Sequence, residues 1–180
     1  MFFKVKKIIL SSILFSLFHC AYATAVKHIE SDTAIQNAVL VYINEYRQQH
    51  GLSNLKMDNH IVDQARQHSL DMANHRMPFG HKYFEKRIAK LHSQIKNSGA
   101  GAENVAYNYK DAHEVVRQWI RSPGHKRNID GHYDLTGIGV ARDKQGRLYY
   151  TQIFLQTGKS TNHATRRSFR SLNPFFGHWK

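Results

Sequence analysis

Four side chains in the middle of this 180-residue chain are of types that could do chemistry together: His81, Glu103, Ser122 and His125. Glu103 stands among Ala102, Asn104, Val105 and Ala106, a context of a buried segment rather than a solvated face. A buried carboxylate needs compensation from backbone amides, a cation or a metal. Ser122-Pro123-Gly124-His125 follows a helical pattern that ends in Trp119-Ile120-Arg121. Proline cannot continue that helix but suits the first turn of a new one. Ser122 is then an N-cap, with its oxygen committed to backbone amides. His125 falls near the positive end of the new helix, where the neutral ring that binds metal or acts as a base is favoured. His81 follows Gly80 in Met77-Pro78-Phe79-Gly80, a turn by composition.

Each of these residues also has a plainer reading. Glu103 can be a hydrogen-bonded strand residue, and His125 can simply pack against a chain reversal. The chain has 13 histidines, which dilutes the weight of any one of them. His50, His68 and His92 fall on polar helix faces or at element ends and are assigned no special role. No HExxH, CxxC, GxSxG or P-loop pattern is present. The residues mark a site without naming a reaction.

The elements that must position them follow from periodicity. Ser31-Asp32 offers an N-cap, and Ile35, Val39, Tyr42, Ile43 and Tyr46 recur at helical spacing up to Gly51. Asp58 or Asn59 starts a second helix, whose stripe of Ile61, Val62, Ala65, Ser69, Met72 and Ala73 is rich in small residues that permit close packing. Tyr83 to Leu91 is a short helix, Lys96 to Gly101 a loop, and Glu103 to Ala106 a short strand. Asp111 caps a helix carrying Ala112, Val115, Val116, Trp119 and Ile120 on one side. Leu135 to Ala141 and Leu148 to Leu155 form a hairpin around Asp143-Lys144-Gln145-Gly146. The second hairpin strand is apolar on both sides, with Leu148, Tyr150 and Phe154 on one and Tyr149, Ile153 and Leu155 on the other. Such a strand belongs between two layers. The expectation is α+β, a small antiparallel sheet between helices in three α-β-α layers.

The ends of the chain bound where it works. Lys4, Lys6 and Lys7, the apolar run Ile8 to Phe18 and Ala21-Tyr22-Ala23 read as a signal peptide over residues 1–23. Its apolar run is shorter than the roughly 20 residues of a membrane span. Cleavage after Ala23 removes Cys20, the sole cysteine, so disulfides do not staple the mature chain. It also lowers the formal charge from +13 to +10, and five of those charges lie in the tail, at Lys159, Arg166, Arg167, Arg170 and Lys180. The plan is a domain over 24–157 and a basic, aromatic-containing tail over 158–180, poorly ordered by composition. Export leads to the periplasm or the exterior. Nucleic acid is not an expected partner, because the domain shows no basic helix or stacking platform. A monomer is expected.

Taken together, the residues resemble the CAP superfamily of cysteine-rich secretory, antigen 5 and pathogenesis-related-1 proteins, in its short bacterial branch. The features that carry the resemblance run in family order over about residues 35 to 157. They are Asn44-Glu45-Tyr46-Arg47, Gly51-Leu52, Leu55, Ala65, Asp71-Met72-Ala73, His81, Arg87, Gly101-Ala102-Glu103-Asn104-Val105-Ala106, Trp119-Ile120, Ser122-Pro123-Gly124-His125, Asn128-Ile129, Gly137-Ile138-Gly139-Val140-Ala141 and Tyr150-Thr151-Gln152. The resemblance implies an α-β-α sandwich and a central cleft in which two histidines and two acidic residues can hold a divalent metal such as zinc. His81, Glu103 and His125 match three of those positions, and Ser122 stands where the fourth, a Glu, is expected. It further implies a binding protein, since the family includes lipid and sterol binders and shares no common reaction. The expected ligand is a small lipid-like, peptide or glycan molecule or an envelope component. Two alternatives stand beside this: a metal-dependent hydrolase using the His-Glu-His cluster, and an envelope-surface protein that touches anionic surfaces through its tail.

Overall fold

The computed structural model describes residues 30–158. The signal peptide over 1–23 and nearly all of the basic tail over 158–180 lie outside the described residues.

The first helix, α1 (Asp32–Gln49), begins where its cap predicts, with the Ser31 hydroxyl accepting from the Ala34 amide. A two-residue strand, β1 (Lys56–Met57), precedes α2 (Asn59–Ala73), which Asp58 caps through the His60 and Ile61 amides. Then come α3 (Phe84–Gln94), β2 (Ser98–Tyr107), α4 (Ala112–Arg121), α5 (Pro123–Asp130), β3 (Leu135–Arg142) and β4 (Leu148–Thr157). The hairpin turn is built as its residues require. Asp143 accepts from the Gln145 and Arg147 amides, and Gly146 takes the positive φ of 79°.

The sheet order is β1-β3-β4-β2. The expected antiparallel sheet is in fact mixed, because β1 pairs parallel with β3. By sequence β1 reads only as a connection, since so short a strand carries no periodicity from which to infer one. The Lys96 to Gly101 loop is likewise corrected, since β2 already begins at Ser98. Its Gly- and Ala-rich start has low strand propensity, and its pairing with β4, irregular between Ser98 and Gly101, overrides that.

Alternation along β4 assigns the layers. Tyr150 and Phe154 pack with Ile35, Val39, Val115, Trp119 and Ile129 from α1, α4 and α5. Ile153 and Leu155 pack on the opposite face with Ile61, Ala65, Ile88 and Leu91 from α2 and α3. Both faces of β4 are buried, as its sequence requires. The close seat of α2 depends on Gly137 and Gly139. A Cβ at either would lie 2.2 Å from α2 backbone carbons at Ile61 or Ala65. The G-x-G of β3 therefore sets how near helix and sheet can come.

Candidate functional site

Strand β2 is an edge of the sheet, and its alternation divides the site residues. The register pairs Glu103 with Ile153, which directs the Glu103 side chain to the α2–α3 face. Ala102 and Ala106 belong to the opposite core, beneath α4 and α5. His125 arrives from α5 on that side, and the Asn104 amide donates to its carbonyl at 3.2 Å. The outward carbonyl of Glu103 accepts from Asn128 at 3.1 Å, and that of Val105 lies 3.5 Å from the Trp119 indole nitrogen.

Glu103 is almost completely buried, with 1 % of its side chain exposed. Its compensation is a cation. Arg87 of α3 donates from Nε to Oε2 and from Nη2 to Oε1, each at 2.8 Å, a two-pronged match of fork to carboxylate. His81 adds a bond from Nδ1 to Oε1 at 2.9 Å. A carboxylate is acceptor-only beside Arg87, so His81 Nδ1 is the donor, and in the neutral ring Nε2 holds the lone pair. The His81 side chain is 52 % exposed, so a buried ion pair orients a ring that reaches solvent.

His68 is the residue that sequence reasoning missed. Assigned to a polar face, it is buried, with Nε2 2.8 Å from the Gly80 carbonyl and 3.8 Å from Glu103 Oε1. Its spacing from Ile61, Ala65 and Met72 places it on the inward face of α2, which is the signal that could have found it. Burial lowers its pKa most, with Glu103 opposing and Arg87 and His81 assisting. The ring is therefore neutral, with its proton on Nε2, and it ties the turn carrying His81 to α2.

A groove of about 640 Å³ opens over this edge, lined by His81, His125, Ser122, Gln118, Arg121, Trp119 and the aromatic rings of Phe79, Tyr107 and Tyr109. The structure thus brings His81, Ser122 and His125 to one groove, with Glu103 beneath it as the buried support of His81. Burial, and then the nearby His81, lower the His125 pKa. Ser122 occupies the N-cap position of α5 but makes no side-chain capping bond, contrary to expectation. It serves α4 instead, its amide bonding to the Gln118 and Trp119 carbonyls, and its side chain lines the groove.

The donor set does not fit a metal held through Glu103. Arg87 engages both carboxylate oxygens and His81 one of them, so an ion there would face a guanidinium in place of a free carboxylate. His125 comes from the other face of β2. Among the described residues no group of three or more His, Cys, Asp or Glu side chains is arranged to hold a metal ion.

The comparisons with known proteins agree with this architecture. The family profile described as CAP, the cysteine-rich secretory protein family, matches residues 40–154. The chain belongs to the CAP family. It is 34% identical over 129 residues to the membrane protein YlbC of Bacillus subtilis (strain 168), covering 69% of this chain and 35% of that protein. The chain therefore spans about a third of that relative. Among solved structures it resembles a cysteine-rich secretory protein of Staphylococcus aureus, at TM-score 0.59 and 25% identity over 72% of this chain and 41% of the other. An outer surface protein of Borrelia burgdorferi shares the fold at TM-score 0.62 and 19% identity, over 72% of this chain and 98% of its own. This CAP domain is thus the α-β-α sandwich that the resemblance implied, with a mixed sheet.

Proposed function

We propose that this CAP domain works outside the cytoplasm as a ligand-binding module, with the groove over the β2 edge as its binding site. The hydrogen bond from His81 to the buried Glu103–Arg87 pair carries the reading. It fixes one ring nitrogen and leaves the other as an oriented acceptor at the groove, an arrangement that positions a polar group for a ligand. Export rests on the basic, apolar, small-residue pattern of residues 1–23 and on the surface and membrane names of the relatives. The test is NMR of the His81 and His125 rings, titrated with a panel of fatty acids, sterols, short peptides and oligosaccharides. One class is expected to shift both rings saturably in wild type and to lose its effect in His81→Ala. If no class moves either ring, the binding reading falls.

The same bond supports a second reading. A histidine held by a carboxylate through Nδ1 has the arrangement of a general base, with Nε2 poised to take a proton from water. This moves the role of base from His125, where the sequence put it, to His81, and needs no metal. Hydrolysis of a peptide, ester or phosphodiester panel, lost in His81→Gln, would support it; inactivity of the folded wild type would remove it.

A further inference from the structure

We propose that the groove takes an oligosaccharide that carries carboxylates, bound across an aromatic ladder at its rim; this rests on the groove being a ligand site. The ladder runs from the core outward. Tyr149, buried, stacks with Tyr107 at 5.5 Å between centroids and 26° between planes, and Tyr107 meets Phe79 at 5.0 Å. Phe79 is 49 % exposed and Tyr107 44 %, so two of the large apolar side chains left open to solvent are neighbours at one rim. Rings backed by a buried ring are held in place before any ligand arrives. Their negative π faces attract the positive C–H faces of a pyranose ring.

The rest of the groove decides between ligand classes. Its lining includes His81, Gln118, Ser122 and His125, polar groups that hydroxyls satisfy and an acyl chain would leave unpaired. An extended peptide adds to a sheet through free edge groups, and here Asn128 takes the Glu103 carbonyl while the Trp119 indole covers that of Val105. The volume of about 640 Å³ is in the range of ligand pockets, about 300–1,000 Å³, with room for roughly two or three sugar rings. Charge supplies the last term. No carboxylate lines the groove, and Arg121 at its wall pairs with no carboxylate among the described residues. A guanidinium left open beside neutral donors suits a sugar acid.

The experiment is isothermal titration of the full chain with tetragalacturonate, a hyaluronate tetrasaccharide and a disaccharide of N-acetylmuramic acid, against fully methyl-esterified tetragalacturonate and tetraglutamate. At least one carboxylated saccharide is expected to bind at least tenfold tighter than both controls. Tyr107→Ala should weaken it by at least tenfold, while Tyr107→Phe, which keeps the ring, should not. Arg121→Gln should bring the acid to the level of the ester. Thermal melts check that these partly exposed sites leave the fold intact. Binding of none of the saccharides, an ester equal to its acid, tetraglutamate binding as tightly, or indifference to Tyr107→Ala would each overturn the assignment. If a fatty acid or peptide moves the His81 ring where no saccharide does, the carbohydrate assignment alone fails and the groove remains a binding site.

Discussion

Two arginines are buried among the described residues, Arg47 and Arg87, and their partners differ. Arg47 of α1 is 1 % exposed and donates only to carbonyls, those of Ser53, Ile129, Gly131 and Tyr133. It fastens the loop after α1 to the segment that leads from α5 into β3. Burial lowers its pKa, opposed by Asp130, yet a guanidinium stays charged at any ordinary pH. Arg87 is paired instead with one carboxylate, Glu103, and that carboxylate has a second client in His81. The first arrangement is closed, with four of its five N–H donors spent on holding chain to chain. The second is open at one end, where a half-exposed imidazole leaves the ion pair and enters the groove. A buried cation that ends in backbone is a strap; one that ends in a solvent-reaching ring orients that ring.

The largest expected effect breaks the strap. Arg47→Met removes the donors to four carbonyls, and hydrogen bonds to charged groups contribute about 1.5–3 kcal/mol each. Allowing for water reaching the partly buried carbonyls, a loss of about 4 kcal/mol or more is expected in urea unfolding. A loss below about 1 kcal/mol would mean the carbonyls are already hydrated and the strap idea is wrong.

Arg87→Met comes next, because it strands the Glu103 carboxylate; breaking a buried pair costs about 3–5 kcal/mol. The double variant Arg87→Met, Glu103→Gln removes the stranded charge and should recover most of that loss. If the double variant is as unstable as the single, Arg87 acts through packing or its bond to the Lys82 carbonyl rather than through the carboxylate.

Strap and support also differ in how far a sequence discloses them. Helices α1, α2 and α4 are legible because cap, stripe and stop agree, as at Ser31, Asp58 and Asp111. The hairpin is legible from its β-branched and aromatic runs. The two-residue β1 and the Gly-rich start of β2 are not, because their extended form depends on pairing with β3 and β4 rather than on local preference. At the site, the burial of Glu103 can be read from its neighbours. That its cation is Arg87 cannot, since the pairing spans a helix and a strand whose relative placement is tertiary. The same holds for His68, whose spacing is inward but whose polarity argues outward.

A pH series separates the buried His68 and the half-buried His125 from the rest. His68 and His125 both have lowered pKa values, chiefly through burial. In the unfolded chain they bind protons near pH 6.5, while in the fold they stay neutral to lower pH. The unfolded state thus holds more protons in that window, so stability is full above about pH 6.5 and falls as pH drops through the window toward the folded values. His68→Gln should flatten part of this fall, measured as the urea midpoint against pH. An unchanged slope would show that His68 takes up protons alike in the folded and the unfolded chain.

The smallest expected effect on stability is at His81, and it is the one that sharpens the contrast most. Its ring is half exposed and gives Glu103 a third hydrogen bond where Arg87 already supplies two. His81→Asn should therefore cost no more than about 1 kcal/mol, in the range of exposed charge contacts. It should nonetheless abolish the ligand-dependent shift at His125, because the oriented acceptor is gone while the groove keeps its shape. A support built for function predicts this separation of small stability change from large binding change. If His81→Asn instead unfolded the domain as Arg47→Met does, the two buried arginines would be the same device, and His81 would be part of the strap.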